Sequence, residues 1–270
     1  MTTDNTDARA PGGVQALETG LAVLDVFADF VRPAMLKDIA RAANMHPAKA
    51  HRYLVSFVKW GYVEQDAHGR YSLGRNALRL GLAGLAQIDA VRLVTPLLDE
   101  LSGVVGETVL AAVWGNRGPT VVQWRDAPHA VTVNVRPGSV MPLLSSATGR
   151  AFAGFFDEKR TAPLIAEELK IHAAARIKPF PRNAKEVREL VAGVRATGLG
   201  QVMGDLVPGI NSVSAPVFDH EGKMVLAISA LGNDAVFDAD PAGPIADAVR
   251  SAARLLSERL GHGMLEVQAS

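Results

Sequence analysis

Apolar residues recur at helical spacing in two successive segments between residues 35 and 60. Leu36, Ile39, Ala40 and Ala43 occupy the i, i+3, i+4 and i+7 positions of the first segment, which predicts a short helix with one buried face. Pro47 suits the first turn of a second helix, because the amide hydrogen that proline lacks would have no partner there. The pattern therefore predicts a second helix over residues 47–60.

The second helix is predicted to have one packed face and one basic, solvated face. Its packed face carries five apolar side chains: Ala50, Tyr53, Leu54, Phe57 and Val58. The remaining arc carries Ala48, Lys49, His51, Arg52 and Ser56. Gly61 is placed to end this helix, since glycine is favoured just beyond a helix C-terminus.

Two short strands are predicted directly after the second helix. Residues 62–65 alternate between apolar and polar, residues 66–69 are typical of a tight turn, and residues 70–73 form the returning strand. An amphipathic segment at residues 14–30 predicts a further helix that covers the second helix from behind. The first domain, residues 14–74, is therefore predicted to be a winged helix-turn-helix.

This domain type suggests binding to double-stranded DNA, with the second helix in the major groove and the hairpin on the neighbouring backbone. Seven residues are expected to contact DNA: Lys37, Ala48, Lys49, His51, Arg52, His68 and Arg70. The alternative is a winged helix that binds another protein and whose basic face is simply solvated.

Three stretches of this domain resemble IclR-type bacterial transcriptional regulators. They are VQALETGLAVL at residues 14–24, HRYL at residues 51–54, and GYV with GRYSLG at residues 61–63 and 69–74. The resemblance continues to the end of the chain and implies a C-terminal, GAF-like effector-binding domain. Relatives commonly carry small hydroxylated residues where this chain has Ala48 and Lys49. No operator sequence carries over, because those positions choose bases.

Residues 75–88 predict a linker helix with Leu78, Leu82 and Leu85 on one side. A helix between two domains has no core of its own, so this stripe suggests pairing with a second copy of the chain. The alternative is that the stripe docks onto the chain's own domains.

Residues 89–270 mix helices and strands and predict an α+β domain with a central antiparallel sheet. Strands are predicted at residues 108–114, 120–125, 131–135, 200–203, 210–218 and 224–231. Helices are predicted at residues 91–105, from 145 onward, over most of 157–198, and at 241–261.

The helix that opens at Ser145 or Ser146 is a candidate anion site. Its first backbone N–H groups, those of Ala147, Thr148 and Gly149, together with the helix dipole, could hold a carboxylate without a lysine. Segments 136–152, 208–218 and 228–232 resemble the effector loop and central strands of the family. The resemblance implies effector contacts from Val133, Ser146, Ala147, Thr148, Gly149, Val202, Ser212, Ser229 and Leu231.

Val202 and Leu231 stand where relatives that bind small, polar oxoacids carry a carboxylate and a serine. An apolar wall disfavours such ligands, because each buried polar group without a partner costs about 1–3 kcal/mol. We therefore expect a carboxylic acid with an apolar or aromatic body.

Composition narrows the remaining function classes. The chain has no cysteine, which excludes disulfides, thiolate metal sites, cysteine nucleophiles and the usual covalent attachment of a bilin. The sequence lacks G-x-S-x-G, H-E-x-x-H and phosphate-binding glycine motifs, so a hydrolase or other enzyme is disfavoured. Neither a metal nor another cofactor is expected.

Net charge is zero, but residues 14–79 carry nine Lys/Arg and six Asp/Glu. This small excess has the sign that DNA requires and predicts few phosphate contacts per domain, so affinity would depend on several domains in one assembly. Residues 1–13 are expected to be a disordered tail. Without a signal core or a membrane-length apolar run, the protein is expected in the cytoplasm.

These features together predict a ligand-responsive transcription factor that works as a homodimer. The first and linker helices would pair the winged domains on a palindromic operator, with recognition helices about one turn of DNA apart. Effector domains could join two dimers into a dimer of dimers. An effector would act by binding two arrangements of the winged domains with different affinities.

Overall fold

The computed structural model describes residues 13–127, 134–174 and 181–263. The described chain divides into two units, the first ending at Ile88 and the second beginning at Asp89. Apart from Gly13, the expected N-terminal tail lies outside the described residues. The same is true of Val133 and of the predicted strand over 131–135, except for residues 134 and 135, which are not in a strand.

The first unit is a winged helix-turn-helix followed by a helix, as the sequence predicts. The predicted helix over residues 14–30 is α-helical only to Asp25, because its last turn tightens into a 3-10 helix at Val26–Asp29. The elements in chain order are α1 (Gln15–Asp25), α2 (Leu36–Ala42), α3 (Pro47–Lys59), β1 (Val63–Gln65), β2 (Tyr71–Leu73) and α4 (Arg75–Ala86).

Local sequence explains how α2 turns into α3. Asn44 adopts φ 47°, a left-handed conformation that asparagine tolerates better than most residues. The Nδ1 atom of His46 accepts a hydrogen bond from the N–H of Ala48 at 3.3 Å and so caps α3 ahead of Pro47. Together these residues reverse the chain within one short turn.

One apolar cluster holds the first unit together. Its buried members are Val23, Phe27, Ala34, Ile39, Leu54, Val63 and Tyr71. Ala34 exchanges backbone hydrogen bonds with Tyr71, which adds a third backbone segment to the two-stranded wing. The prediction that Val58 lies on the packed face of α3 is wrong, since Val58 is 39% exposed.

The second unit is an α+β domain with one five-stranded antiparallel sheet, which confirms the predicted fold class. The strand order is β4-β3-β7-β6-β5, and every neighbouring pair is antiparallel. The elements are α5 (Ala90–Val105), β3 (Thr108–Gly115), β4 (Gly118–Arg125), α6 (Ala147–Phe155), α7 (Glu158–Ala174), α8 (Ala184–Thr197), β5 (Gly200–Met203), β6 (Ile210–Phe218), β7 (Met224–Asn233) and α9 (Pro244–Arg259).

Each face of this sheet has its own core. Alternate residues of β3 separate the two: Val109 and Ala111 join the core under α5 and α9, whereas Leu110 and Ala112 join the core under α6. This alternation is the period-2 pattern of a strand covered on both faces. The sheet therefore forms the middle layer of three, with α6 on one side and with α5 and α9 on the other.

No single described helix is long and apolar enough to cross a membrane. Among the described helices, only α4 and α5, counted together as one broken segment, reach the length and apolar content of a membrane span.

We expect Gly149→Ala to destabilise the second unit by about 1–3 kcal/mol or more, because overpacking forces the backbone to move. A Cβ at Gly149 would collide with the carbonyl oxygen of Pro142 and lie 2.6 Å from the Cα of Leu143. Chemical unfolding would measure the change. Gly193→Ala is the matched control, since its Cβ would meet no atom within 4 Å inside α8 and should be neutral or slightly stabilising. Equal unfolding midpoints for the two variants would contradict this packing.

Candidate functional site

The outer face of α3 is open to solvent. All seven residues expected to contact DNA are exposed: Lys37, Ala48, Lys49, His51, Arg52, His68 and Arg70. Ala50 and Leu54 are fully buried and hold the opposite face of α3 against the domain. A braced helix with a free basic face has the geometry that entry into a DNA major groove requires.

The turn of the wing is built around Asp66. One oxygen of its carboxylate accepts hydrogen bonds from the N–H groups of His68 and Arg70, both at 2.9 Å, and the other accepts from Arg70 Nε at 2.8 Å. These bonds, chiefly the one from the Arg70 backbone, hold the pKa of the Asp66 carboxyl below its usual value. Asp66 thereby orders His68 and Arg70, the two residues of the wing that the sequence predicts to contact DNA.

The start of α4 is attached to the end of α3. The side-chain amide of Asn76 donates a hydrogen bond to the carbonyl of Trp60 at 2.6 Å, and its backbone N–H donates to Gly61 at 2.8 Å. Gly74 permits this approach, because a Cβ there would lie 2.6 Å from the carbonyl oxygen of Gly61. These contacts therefore fix the orientation of α4 relative to α3.

Apolar side chains on α1 and α4 are exposed to solvent within this unit. No residue of α4 is buried, so the leucine stripe is open to solvent. The large apolar side chains exposed on α1 and just before it are Val14, Leu17 and Leu21, and those on α4 and just beyond it are Leu78, Leu80, Leu82, Leu85 and Ile88. Exposed apolar surface of this extent typically marks a protein contact.

The second unit contains a small cavity of about 40 Å³ between the first turn of α6 and the sheet. Six of the nine predicted effector residues line it: Ser146, Ala147, Thr148, Val202, Ser212 and Leu231. Six further lining residues were missed by the sequence analysis: Leu110, Val135, Met141, Leu206, Val207 and Ile210. All six missed residues are apolar, and their side chains carry no chemical group that would mark a binding site in the sequence.

Strand register explains why distant residues meet at this cavity. Ser212 pairs with Val202 on one side and with Leu231 on the other, so the three form one row across β5, β6 and β7. Residues directly opposite each other in a sheet point to the same face. The row therefore forms one wall of the cavity.

The first turn of α6 presents two backbone donors to the cavity. Ser146 caps the helix, and its hydroxyl accepts a hydrogen bond from the N–H of Gly149 at 2.9 Å. Among the described residues, the N–H groups of Ala147 and Thr148 have no hydrogen-bond partner. Of the three N–H groups that the sequence predicts for an anion site, two are therefore without a partner, and that of Gly149 is bonded to Ser146.

A partly buried carboxylate holds the loop that leads into α6. Glu168 accepts hydrogen bonds from the N–H groups of Leu143, Leu144 and Ser145 at distances between 2.7 and 3.2 Å. His172 lies 3.6 Å from the same carboxylate. An internal anion therefore satisfies the three N–H groups that precede the helix cap.

A chain of buried hydroxyl groups fastens α6 to the sheet. Thr148 and Ser229 share a hydrogen bond of 2.8 Å, and Ser229 donates to Ser214 at 2.8 Å. Because the single hydroxyl hydrogen of Ser229 goes to Ser214, Thr148 is the donor in the first bond. Ser229 does not line the cavity, and all three residues are at most 2% exposed. The structure places Ser229 in a positioning role behind the cavity wall.

Arg150 adds a charged group to the same helix. Its guanidinium donates to the carbonyls of Leu144 and Gln201 and to the carboxylate of Asp205, the last at 2.6 Å. Burial lowers the pKa of Arg150, and the neighbouring Asp205 acts in the opposite direction. A charge this buried requires these partners, so Arg150 ties α6 to β5 and to the loop after β5.

Comparison with known proteins identifies both units. Residues 16–67 match the IclR helix-turn-helix domain, and residues 83–258 match the C-terminal domain of bacterial transcriptional regulator IclR. The second match alone spans more than half of the chain. The chain belongs to the IclR family.

Members of the IclR family resemble this chain over nearly its whole length. The crystal structure of Pseudomonas aeruginosa HmgR superposes with a TM-score of 0.84 at 39% identity, covering 93% of this chain and 99% of that one. HTH-type transcriptional regulator BhcR of Paracoccus denitrificans is 28% identical over 93% of this chain and 88% of its own length. Transcriptional repressor IclR of Escherichia coli is 26% identical over 83% and 82%.

Family membership makes the chain a DNA-binding transcriptional regulator with a C-terminal ligand-binding domain. The relatives are named as transcriptional regulators and not as enzymes. The winged domain described above is the DNA-binding part, and the three-layer domain with its cavity is the ligand-binding part.

Glu168→Gln should weaken the loop before α6 and lower the free energy of unfolding by about 1.5–3 kcal/mol, the usual contribution of hydrogen bonds to a charged group. The amide nitrogen of glutamine cannot accept from the N–H groups that Glu168 now satisfies. Thermal and urea unfolding would measure the loss. Glu167→Gln is the control, since Glu167 is exposed on the same helix turn. A loss of similar size in both variants would argue against a specific role for Glu168.

Proposed function

We propose that this IclR-family regulator responds to a carboxylic acid with an apolar or aromatic body, bound in the cavity beside α6. The carboxylate would accept hydrogen bonds from the N–H groups of Ala147 and Thr148. The body would lie against the apolar row that contains Val202 and Leu231. The sequence also predicts effector contacts from Val133 and Gly149. Val133 lies outside the described residues, and the N–H of Gly149 is already bonded to Ser146.

The two N–H groups of α6 without partners carry this proposal. A backbone donor that is buried and unpaired costs free energy unless a ligand or water supplies an acceptor. At a helix N-terminus the preferred acceptor is an anion, because the helix dipole adds to the two hydrogen bonds. The neighbouring donors are already used by Ser146 and Glu168, which leaves room for one small anionic group.

The remaining walls favour an apolar body on that acid. Most of the cavity lining is aliphatic, and the hydroxyl of Ser212 already donates to the carbonyl of Ala230 at 2.9 Å. A strongly polar oxoacid would leave its other oxygens without donors at these walls. The cavity measures about 40 Å³, below the roughly 300–1,000 Å³ of small-molecule sites. A single-ring acid would therefore bind only after the cavity walls move apart.

Transcriptional control would follow from the winged domains working in pairs. The exposed apolar side chains of α1 and α4 support a homodimer in which these helices meet. Two recognition helices would then read the half-sites of a palindromic operator through Lys49, His51 and Arg52, with Ala48 at a base edge. Lys37, His68 and Arg70 would contact the flanking backbone, and effector domains could join dimers into a tetramer.

The anion site can be tested by Ala147→Pro, which removes one of the two donors. Ala147 is the first residue of α6, where proline is tolerated, and Ser146 already has the extended backbone that a following proline requires. We expect affinity for phenylacetate or benzoate, measured by calorimetry, to fall at least about tenfold, the value of one charged hydrogen bond. The helix should remain folded.

The matched control is Ala184→Pro, which places proline at the first position of α8 away from the cavity. Binding of glyoxylate and pyruvate by the native protein, with no binding of aromatic acids, would overturn the apolar preference. Unchanged affinity for aromatic acids in Ala147→Pro would overturn the anion site.

The DNA-binding face can be tested by Lys49→Ala and Arg52→Ala. We expect each variant to bind the protein's own upstream DNA at least about tenfold more weakly in mobility-shift assays, because phosphate and base contacts of these side chains are lost. Lys185→Ala is the control, since Lys185 is an exposed lysine of the other unit. Native affinity in both α3 variants would place the DNA on another surface.

A further inference from the structure

The segment between β5 and β6, residues 204–209, begins and ends with glycine in a left-handed conformation. Gly204 has φ 74° and Gly209 has φ 81°. A Cβ at Gly204 would lie 3.9 Å from its nearest neighbour, the nitrogen of Gly209, and a Cβ at Gly209 would meet no atom within 4 Å. The N–H of Gly204 donates to the carbonyl of Ile210 at 3.0 Å, which closes the base of the segment. Glycines at both ends give this segment two points where the backbone can turn.

The segment covers one side of the effector cavity. Leu206 and Val207 line the cavity, so their side chains take part in enclosing any ligand. Leu206 is nevertheless 38% exposed, which places it between the cavity and solvent. A molecule that leaves the cavity on this side must displace these two residues.

One side-chain ion pair holds the segment to the body of the domain. The carboxylate of Asp205 binds Arg150 at 2.6 Å. Arg150 is 9% exposed at its side chain, whereas Asp205 is 32% exposed. The acidic partner is thus accessible to water, and the arginine remains anchored by the carbonyls of Leu144 and Gln201 when Asp205 moves away.

Arg150 belongs to the helix that presents the anion site. It lies one turn after Ala147, and its Nε donates to Leu144 at 2.7 Å, within the loop that Glu168 holds. The same rigid helix therefore carries the carboxylate donors at its first turn and the partner of Asp205 at its next. α6 therefore supports both the proposed effector contact and the ion pair that closes the segment.

We propose that residues 204–209 form the lid of the effector cavity and that Arg150 is the positioning residue that keeps the lid closed through Asp205. This inference rests on the proposed function, because it takes the cavity to be the effector site. Opening breaks one partly exposed ion pair and leaves α6 in place. The lid therefore sets how fast an effector enters and leaves, while α6 sets how the carboxylate is recognised.

The absence of cysteine from the chain allows a direct test of the lid. Residue 206 is 38% exposed when the lid is closed, so in the full-length Leu206→Cys variant the rate at which the single thiol reacts with a disulfide reagent should rise further when the lid opens. Adding Asp205→Asn should raise this rate about fivefold, as loss of a partly exposed ion pair permits. Asp205→Glu should return the rate towards that of Leu206→Cys alone, since it restores the carboxylate.

Two matched controls separate lid opening from general loosening. Asp247→Asn removes a surface ion pair of the same 2.6 Å length, with Arg250, and should leave the Leu206→Cys rate unchanged. The thiol of Leu255→Cys, at a site 39% exposed in α9, should react at one rate with and without Asp205→Asn. An unchanged Leu206→Cys rate in Asp205→Asn overturns the proposal, as does an equal rise at both thiols.

Adding phenylacetate distinguishes failure of the lid from failure of the proposed function. Slower reaction of the Leu206→Cys thiol in phenylacetate, combined with the rise caused by Asp205→Asn, supports both. If Asp205→Asn raises the rate and phenylacetate gives no protection, the ion pair keeps the lid closed but the proposed aromatic effector is wrong. If phenylacetate protects but Asp205→Asn changes nothing, the cavity binds the acid but the proposed role of the Arg150–Asp205 pair is wrong.

Discussion

The effector domain depends on how the first turn of α6 is held against its surroundings. Gly149 lets the helix approach the chain at Pro142 more closely than any side chain would permit. Ser146 then satisfies the third donor of the helix, and Glu168 satisfies the three N–H groups just before it. Among the described residues of this turn, the N–H groups of Ala147 and Thr148 are the two without an internal acceptor. Glu168 and Ser146 occupy the neighbouring donors, so these two N–H groups are the ones to which the proposed function assigns the effector carboxylate.

Rigidity on one side of the cavity contrasts with a lighter attachment on the other. The hydroxyl chain from Thr148 through Ser229 to Ser214 is wholly buried, so breaking it would leave polar groups without partners. Residues 204–209 are held by one partly exposed ion pair and by backbone bonds at their base. A binding site needs fixed donors for recognition and a weaker boundary for exchange. The two attachments divide these requirements between α6 and the segment after β5.

The sequence was informative wherever a local rule applies and silent where partners are distant in the chain. Pro47 and Gly61 mark the ends of α3 through backbone rules alone, and alternation predicts the strands of the sheet. The use of the Gly149 N–H by Ser146 also follows a local rule, since a capping hydroxyl usually accepts from the third residue of its helix. Glu168 lies more than 20 residues from the N–H groups that it holds, and no spacing indicates that contact. Six of the cavity-lining residues and the Arg150–Asp205 pair were equally unpredictable, because the tertiary fold decides which distant residues meet. Val58 was misplaced because helical period gives the direction of a side chain but not the width of the surface that covers it.

Thermodynamic linkage limits how far effector binding can change the affinity of the protein for DNA. A ligand that contacts only α6 and the sheet changes the winged domains only if its affinity differs between two arrangements of the protein. The proposed effector contacts, two backbone hydrogen bonds and one apolar ring, contribute a modest binding free energy, and coupling energies in such systems are typically about 1–3 kcal/mol. A free-energy shift of that size changes the occupancy of an operator only when the two arrangements of the winged domains differ little in free energy. The few basic residues on α3 and the wing fit this requirement, because a domain that bound DNA very tightly by itself would not respond to so small a change.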